Sequence, residues 1–308
     1  MSGAEAGALG GGFRLSPNHR GALWMLAAAT GFTINSALVK ELGSQGLDAF
    51  QIAFFRSVVA LAAVLPLIAY SGWGQLRTQH PWLHLFRVIS GVGAMVCAFF
   101  ALTLLPLADV TALSFTTPLF ATVLAVVFLG EVVRWRRWTA TLVGFLGVLV
   151  MVRPGAGSFD PAALLALAMA FGIAVAVVLV KRLPPSESQL AMLFYFGVGS
   201  TLFTALPAAA VWQAPSDWQL LLLIAAGLFG LGSQAMMIQA FRTGEASFVA
   251  PFDYSKLITA GLIGFFLFAE VPDAWALAGA AIIVAATLYI ARREAQVGKV
   301  RRGKPESI

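Results

Sequence analysis

The stretch Pro251-Phe252-Asp253-Tyr254-Ser255-Lys256 places a carboxylate and an ammonium inside an apolar run, 246–269, that is long enough to cross a lipid bilayer. A charged side chain at the centre of a membrane helix costs about 2.5–3.5 kcal/mol. Asp253 and Lys256 are three residues apart, so on a helix they share a face and can pair. Pro251 has no N–H, which leaves one backbone carbonyl without its helical partner. The stretch therefore predicts a membrane helix that faces a protected cavity rather than lipid.

The composition of the whole chain indicates the same environment. Hydrophobic residues make up 59% of the 308 residues and charged residues 11%, whereas soluble domains carry about 25% charged residues. A soluble protein of this length would need more polar residues to cover its surface, so we predict an all-α integral membrane protein. Cys97 is the single cysteine, and the histidines (His19, His80 and His84) are scattered near segment ends. These residues predict no disulfide, metal site or cofactor.

Ten apolar runs follow one another along the chain, and most reach the roughly 20 residues that a spanning helix needs. The least obvious boundary is Pro106, which offers a turn within an apolar stretch that is too long for one crossing. The pattern predicts ten transmembrane helices, at residues 21–39, 49–70, 83–105, 107–129, 137–153, 161–180, 190–212, 218–241, 246–269 and 274–291.

Lysine and arginine are distributed unevenly between the two sides that ten crossings define. One side holds Lys40 and Arg153, while Arg56 and Lys256 lie within predicted helices. The other side holds sixteen basic residues: Arg14, Arg20, Arg77, Arg87, Arg134, Arg136, Arg137, Lys181, Arg182, Arg242, Arg292, Arg293, Lys299, Arg301, Arg302 and Lys304. Because basic residues accumulate on the cytoplasmic side, both termini are predicted to be cytoplasmic. The net charge of +6 then reflects orientation in the lipid bilayer and not nucleic-acid binding.

Similar features recur 139 residues apart, which indicates an internal repeat. Glu131 follows the fourth run and Glu270 the ninth, and at the membrane edge each is expected to be solvated or to brace helices. Two repeats of five helices must be inverted relative to each other, an arrangement typical of alternating-access carriers. A duplicated bundle without transport is the alternative. The predicted organisation is a cytoplasmic tail at 1–20, a first repeat at 21–153, a second, inverted repeat at 161–291 and a basic cytoplasmic tail at 292–308.

The sequence resembles the EamA type of the drug/metabolite transporter superfamily over essentially residues 20–293. The resemblance rests on five segments: Ala53-Phe54-Phe55-Arg56, Phe115-Thr116-Thr117-Pro118-Leu119-Phe120 running into Gly130-Glu131, Gly144-Phe145-Leu146-Gly147-Val148, Ala250-Pro251-Phe252-Asp253-Tyr254 and Glu270-Val271-Pro272-Asp273. The segments around Phe54, Phe115 and Phe194-Tyr195 look most like S-adenosylmethionine uptake carriers of that family, with amino-acid exporters similar but more distant. The resemblance implies ten helices in two inverted repeats, a place in the bacterial inner (plasma) membrane and transport of small organic metabolites. It does not fix the substrate.

Two groups of charges are the leading candidates for substrate binding. Asp253 and Lys256 would offer opposite charges to a zwitterion, with Tyr254 as an aromatic wall. The alternative is that the two charges only neutralise each other in a closed core. Arg56 lies eight residues into the second run, roughly 10 Å deep at 1.5 Å per residue. It could bind a carboxylate of substrate or of Asp109, or it could extend to the membrane surface or brace a helix.

Three hydroxyl side chains, Ser114, Thr116 and Thr117, lie inside the fourth apolar run. Such side chains commonly donate to carbonyls of their own helix, so a purely structural role is the alternative. Pro118 frees a backbone carbonyl there much as Pro251 does in the ninth run. We therefore predict that this segment forms the other half of the substrate site.

The features together favour a secondary transporter of small polar or zwitterionic metabolites, amino-acid-like or S-adenosylmethionine-like. A channel-like facilitator and a membrane scaffold or receptor without transport are the alternatives. An enzyme is not expected, because the sequence has no Ser/His/Asp set and no HExxH motif. Proton coupling through Asp253 is one option. The direction of transport and the oligomeric state are left open.

Overall fold

A computed structural model describes residues 16–130, 135–153, 160–182, 187–244 and 246–302, and every regular element in these residues is a helix. The prediction of an all-α chain is confirmed for that part. The α-helices are α1 (Pro17–Ser44), α2 (Ala49–Ser71), α3 (Pro81–Leu104), α4 (Leu107–Ser114), α5 (Thr117–Leu129), α6 (Trp135–Val152), α7 (Ala162–Arg182), α8 (Gln189–Ala210), α9 (Asp217–Thr243), α10 (Ala246–Val249), α11 (Ser255–Phe268) and α12 (Ala274–Arg302). Short 3-10 helices cover Trp73–Leu76 and Ala250–Tyr254.

Seven helical segments of the described chain are long and apolar enough to cross a membrane. One of them, Leu107–Phe128, is α4 and α5 taken together. Two shorter apolar segments, Trp138–Val152 and Ala274–Tyr289, belong to α6 and α12. The chain is therefore a multi-pass membrane protein.

The first and last helices are longer than the apolar runs that predicted them. α1 begins at Pro17 because Ser16 caps it, its hydroxyl accepting from the backbone N–H of His19 at 3.4 Å. α12 continues to Arg302, ten or so residues past the last apolar run. Its extension, residues 292–302, is rich in arginine and also holds glutamate, glutamine and lysine, which favour helix without being apolar. Hydropathy marks where a helix meets lipid and not where the helix ends.

Two of the predicted crossings are not continuous helices. The fourth breaks at Phe115 and Thr116, between α4 and α5, immediately before Pro118. The ninth consists of α10, the 3-10 helix Ala250–Tyr254 and α11, with Pro251 in the first turn of the 3-10 helix. A proline inside a helix removes one N–H and its ring clashes with the preceding turn, which accounts for both breaks. Asp253 therefore lies in a 3-10 turn and not, as expected, on one continuous helix with Lys256.

The fourth and ninth crossings also end in the same way, 139 residues apart. Gly130 ends α5 with φ 64° and ψ 22°, and its N–H donates to the carbonyl of Ala125. Ala269 ends α11 with φ 53° and ψ 31°, and its N–H donates to the carbonyl of Gly264. Both are left-handed helix ends, a conformation that favours glycine. The offset seen in the sequence is thus matched by backbone geometry at this point.

The helices pack in pairs. α1 lies along α9 and α3 along α7, while α2 packs along α8 and α6 along α12. The broken crossings face each other, since α4 packs on α11, and the ring centroids of Phe115 and Tyr254 lie 4.7 Å apart. These two aromatic residues are themselves 139 positions apart. One end of the bundle holds Lys40 and Glu270 and is called the Lys40 end; the opposite end holds Gln189 and Arg242 and is called the Arg242 end.

The two left-handed helix ends allow a matched test of backbone strain. We expect Ala269→Gly to raise the melting temperature of the purified protein, because it removes a left-handed Ala that costs roughly 1 kcal/mol. Gly130→Ala should lower it by a similar amount. A Cβ at Gly130 would meet nothing within 4 Å, so the change isolates the backbone term. Thermal unfolding in detergent measures both, and unchanged melting of both variants would show that these helix ends are not strained.

Candidate functional site

Asp253 and Lys256 form an ion pair where the ninth crossing is broken. The Nζ of Lys256 lies 2.5 Å from the Oδ1 of Asp253, and the side chains are 19% and 31% exposed. Oδ1 accepts no hydrogen bond of good geometry from the described residues, so the contact is electrostatic and not an aligned hydrogen bond. The Nζ also lies 4.7 Å from the ring centroid of Phe32 in α1, a cation–π contact. The two side chains are thus half-buried, although Oδ1 itself is buried.

Arg56 lies in the bundle among neutral groups. Its Nε donates to the Oδ1 of Asn35 at 3.3 Å, and its Nη1 lies 3.2 Å from the Sδ of Met95. Its guanidinium carbon is 5.6 Å from the ring centroid of Phe99. The guanidinium rests on Gly230, where an added Cβ would lie 2.5 Å from Nη2. Four helices, α1, α2, α3 and α9, therefore surround this side chain.

No carboxylate among the described residues pairs with Arg56. The alternative that Asp109 is its partner is not supported, because the charged groups that act on Asp109 are Asp273, Glu270, Arg153 and Lys40. The idea that Arg56 extends to the membrane surface also fails, since its contacts are with buried or half-buried residues of the bundle. The guanidinium is a half-buried cation that lacks a counter-charge of its own among the described residues, which is costly in a membrane protein.

The ion pair and Arg56 approach the same face of α1. Phe32, which contacts Lys256, and Asn35, which contacts Arg56, are three residues apart on that helix. Residues with this spacing lie on one helix face, about 4.5 Å apart along the axis. The structure therefore places an acidic group, two basic groups and the ring of Tyr254 around one part of the bundle. This candidate site offers groups to both poles of a zwitterion.

The hydroxyl groups of Ser114, Thr116 and Thr117 donate hydrogen bonds to backbone carbonyls of the same segment, where the fourth crossing breaks. They donate to the carbonyls of Thr111, Leu113 and Ser114, at 2.6, 2.7 and 2.8 Å respectively. Thr116 is also fully buried. The structure thus shows the local bonding that was the alternative for them, and the segment meets the ninth crossing through Phe115. Their role as substrate ligands stays a prediction.

An ion pair that sequence reasoning did not predict closes the Lys40 end. The Nζ of Lys40 lies 2.7 Å from the Oε1 of Glu270 and donates to the carbonyl of Leu105 at 2.6 Å. The Oε2 of Glu270 accepts from the backbone N–H of Leu107 at 2.7 Å, at the first residue of α4. Glu270 thus braces α1, α4 and α11, which is one of the two roles expected for it. Glu131 lies outside the described residues.

Two of the histidines are less scattered than the sequence indicated. His80 and His84 both approach Glu187, at 3.6 and 3.2 Å, where α3 and α8 begin. Burial raises the pKa of Glu187, but hydrogen bonds from Thr78 and His84 outweigh it and hold the pKa below its ordinary value. Among the residues that the structure describes, no group of three His, Cys, Asp or Glu side chains has the geometry to hold a metal ion.

Comparison with known proteins identifies the family of this membrane bundle. The sequence model described as "EamA-like transporter family" matches residues 19–153 and again residues 160–292. The chain belongs to the EamA-like transporter family. The family and its relatives are transporters and not enzymes, and the resemblance noted from the sequence is confirmed.

Several relatives of this EamA-like transporter are named for the molecule that they transport. It is 34% identical over 270 residues to an S-adenosylmethionine uptake transporter of Rickettsia prowazekii, which covers 88% of this chain and 92% of the relative. It is 36% identical over 287 residues to a riboflavin transporter of Vibrio cholerae, covering 92% and 96%. It is 32% identical over 279 residues to a pseudopaline exporter of Pseudomonas aeruginosa, covering 88% and 96%. A protein crystal structure covers 89% of this chain and 98% of its own, with a TM-score of 0.57 at 21% identity, and shows the fold alone.

The contact between Gly230 and Arg56 gives a direct test of the site in this EamA-like transporter. We expect Gly230→Ala to push the guanidinium from its position and so to weaken substrate binding, while the stability changes by about 1 kcal/mol or less because the displaced atoms end a flexible side chain. Gly232→Ala on the same helix is the control, because a Cβ there meets nothing within 4 Å and alanine favours helix. Thermal unfolding with and without substrate measures both effects. Equal behaviour of the two variants would contradict the placement of Arg56 against Gly230.

Proposed function

We propose that the chain is a secondary transporter that moves small polar or zwitterionic metabolites across the bacterial inner membrane by alternating access. The observation that carries the proposal is Arg56, a half-buried guanidinium inside the bundle without a carboxylate partner among the described residues. Arg56 contacts α1 at Asn35, about one helical turn from Phe32, which Lys256 of the ion pair contacts. A charge in such a place is costly unless a ligand supplies the counter-charge, so an anionic group of the substrate is its partner in the loaded carrier.

The architecture of the proposal is two inverted repeats of five crossings, at 21–153 and 161–291. In this division α1, α2, α3 and α6 of the first repeat correspond to α7, α8, α9 and α12 of the second. The α1–α9 contact then corresponds to the α7–α3 contact, and the α2–α8 and α6–α12 contacts each join a helix to its own counterpart. Phe115 and Tyr254 correspond by the 139-residue offset and contact each other, as residues beside a two-fold axis do. The family's double match supports the same division.

The proposed orientation has both termini in the cytoplasm, with tails at 1–20 and 292–308. It rests on the excess of lysine and arginine in the connections on that side. The Arg242 end is then cytoplasmic and the Lys40 end external. The bacterial relatives support the inner membrane as the location.

The proposed substrate carries both a carboxylate and a cationic group. In this site Arg56 binds the carboxylate in bidentate fashion, and Asp253 exchanges Lys256 for the substrate's cation, with Tyr254 against its apolar part. Amino-acid-like molecules and S-adenosylmethionine fit this description, and relatives are named for S-adenosylmethionine uptake. Asp253 is also the group through which a proton would be coupled. The fourth crossing contributes the other part of the proposed site, with Ser114, Thr116 and Thr117. This part rearranges when the fourth crossing moves during transport.

A carrier is favoured over a channel by the Lys40 end. There Lys40 ties α1 to α11 through Glu270, and to the end of α3 through the carbonyls of Leu102 and Leu105. A channel needs one continuous aqueous path, whereas a carrier is closed at one end at a time. A scaffold without transport would be held together by this bracing and would not need the half-buried charges of the candidate site.

Lys256 provides the experiment for the proposed function. We expect Lys256→Met to insert and purify normally but to lose exchange of labelled for unlabelled substrate in liposomes, because Asp253 then lacks the partner that it exchanges for substrate. Removing one buried charge also keeps or raises the melting temperature, provided that Asp253 takes up a proton. Arg153→Met is the matched control, since Arg153 pairs with Asp273 at the exposed Lys40 end. Wild-type exchange by Lys256→Met at equal density would rule out the role of Lys256.

A further inference from the structure

A cleft of about 700 Å³ opens between the start of α8 and the end of α9, at the Arg242 end. Its lining is mixed, with Leu231 and Ile238 among the apolar side chains and Gln189, Gln234 and Arg242 among the polar ones. Arg242 donates to the side chain of Gln189 at 2.8 Å and so bridges the two helices across the cleft. The polar side chains distinguish this cleft from a gap between lipid-facing helices.

Gln234 indicates that the cleft holds water. It is nine residues from the end of α9 at Thr243, so it lies roughly 13 Å inside the bundle at 1.5 Å per residue. It is half-buried and lines the cleft, and no partner for its amide is found among the described residues. An amide at this depth in hydrocarbon would lose several kcal/mol. Water in the cleft satisfies it.

The cleft lies where the repeats differ in packing. α3 contacts both α1 and α2. The corresponding helix of the second repeat is α9, and it makes no comparable contact with α7 or α8 among the described residues. The interface that is closed at the Lys40 end is therefore open at the Arg242 end, and this opening is the cleft.

The inner end of the cleft lies next to the part of α9 that contacts Arg56. Leu231 lines the cleft and follows Gly230, the residue on which the guanidinium rests. Gln234 is four residues from Gly230 and so lies on the same face of α9. The cleft side chains of α9 thus lead from Arg242 through Gln234 toward the unpaired cation.

From these observations we infer that the α8–α9 cleft is the aqueous mouth through which a zwitterionic substrate reaches Arg56 from the Arg242 end. The inference rests on the proposed function and deepens it, since it assigns the access route and the side on which the site is open. The Lys40–Glu270 pair is the closed gate of the same conformation. In the opposite conformation the α8–α9 cleft closes.

Site-specific labelling of cysteines tests whether the α8–α9 cleft is filled with water. The single native cysteine is removed as Cys97→Ala, and Leu231→Cys is then introduced. A negatively charged, membrane-impermeant methanethiosulfonate is added to inside-out vesicles, and labelling is read by mass. Leu231 is twelve residues, roughly 18 Å, from the end of α9, so a charged reagent reaches it only through water. We expect Leu231→Cys to be labelled and its labelling to be slowed by S-adenosylmethionine or another transported zwitterion.

Leu202→Cys is the matched control. Leu202 lies thirteen residues, roughly 20 Å, from the start of α8, and it is 68% exposed on the bundle's apolar surface. Because a charged reagent does not enter hydrocarbon, its labelling should be roughly 100-fold slower. Ala235→Cys, also in the cleft, is a second probe if Leu231→Cys does not fold.

Two results would contradict the proposal that the α8–α9 cleft is the access route. The first is labelling of the cleft cysteines as slow as that of Leu202→Cys, which would show that lipid fills the cleft. The second is fast labelling that leaves transport unchanged, which would place the route elsewhere. Mass detection does not depend on transport, so a chain that labels as expected but exchanges no substrate would refute the proposed function and leave the aqueous cleft standing.

Discussion

A lipid bilayer offers no water to a charged side chain, so each charge inside the bundle must be paired, solvated or matched by a ligand. Lys40, Lys256 and Arg56 illustrate three degrees of this constraint. Lys40 is fully matched by Glu270 and two backbone carbonyls, and it joins helices at one end. Lys256 is matched by Asp253 but remains half-buried. Arg56 has only neutral partners among the described residues, so it is the group that an anionic part of the substrate would pair with.

Backbone breaks give this constraint its geometry. Pro118 and Pro251 interrupt two crossings that face each other, and the interruptions bring Phe115 against Tyr254 and Asp253 beside Lys256. A broken helix at the middle of a membrane is tolerated only where the freed backbone is buried in protein or lines a cavity. The same residues that interrupt the helices therefore position the charges. Both crossings then end in the left-handed conformation, at Gly130 and at Ala269.

Hydropathy, prolines and charge spacing were sufficient to predict the all-α fold, the prolines that loosen the fourth and ninth crossings, and the pairing of Asp253 with Lys256, but not that these two crossings break into separate helices. Contacts between distant helices were not predictable in this way. The neighbours of Arg56 come from α1, α3 and α9, and the Lys40–Glu270 pair depends on how α1 packs on α11. Ser114, Thr116 and Thr117 show the converse problem, since a polar residue type suggests a ligand while local carbonyls already use its hydroxyl.

The central claim is that Arg56 is unpaired because the substrate supplies its counter-charge. Thermal unfolding of the purified wild type and of Arg56→Met, each with and without S-adenosylmethionine, riboflavin or amino acids, tests it most directly. If the claim holds, the variant without ligand melts at or above the wild-type temperature, because a buried unpaired charge is gone. The ligand that stabilises the wild type then has no effect on it. A variant that melts well below the wild type, yet is stabilised by the same ligand to the same extent, would show that Arg56 only braces the helices.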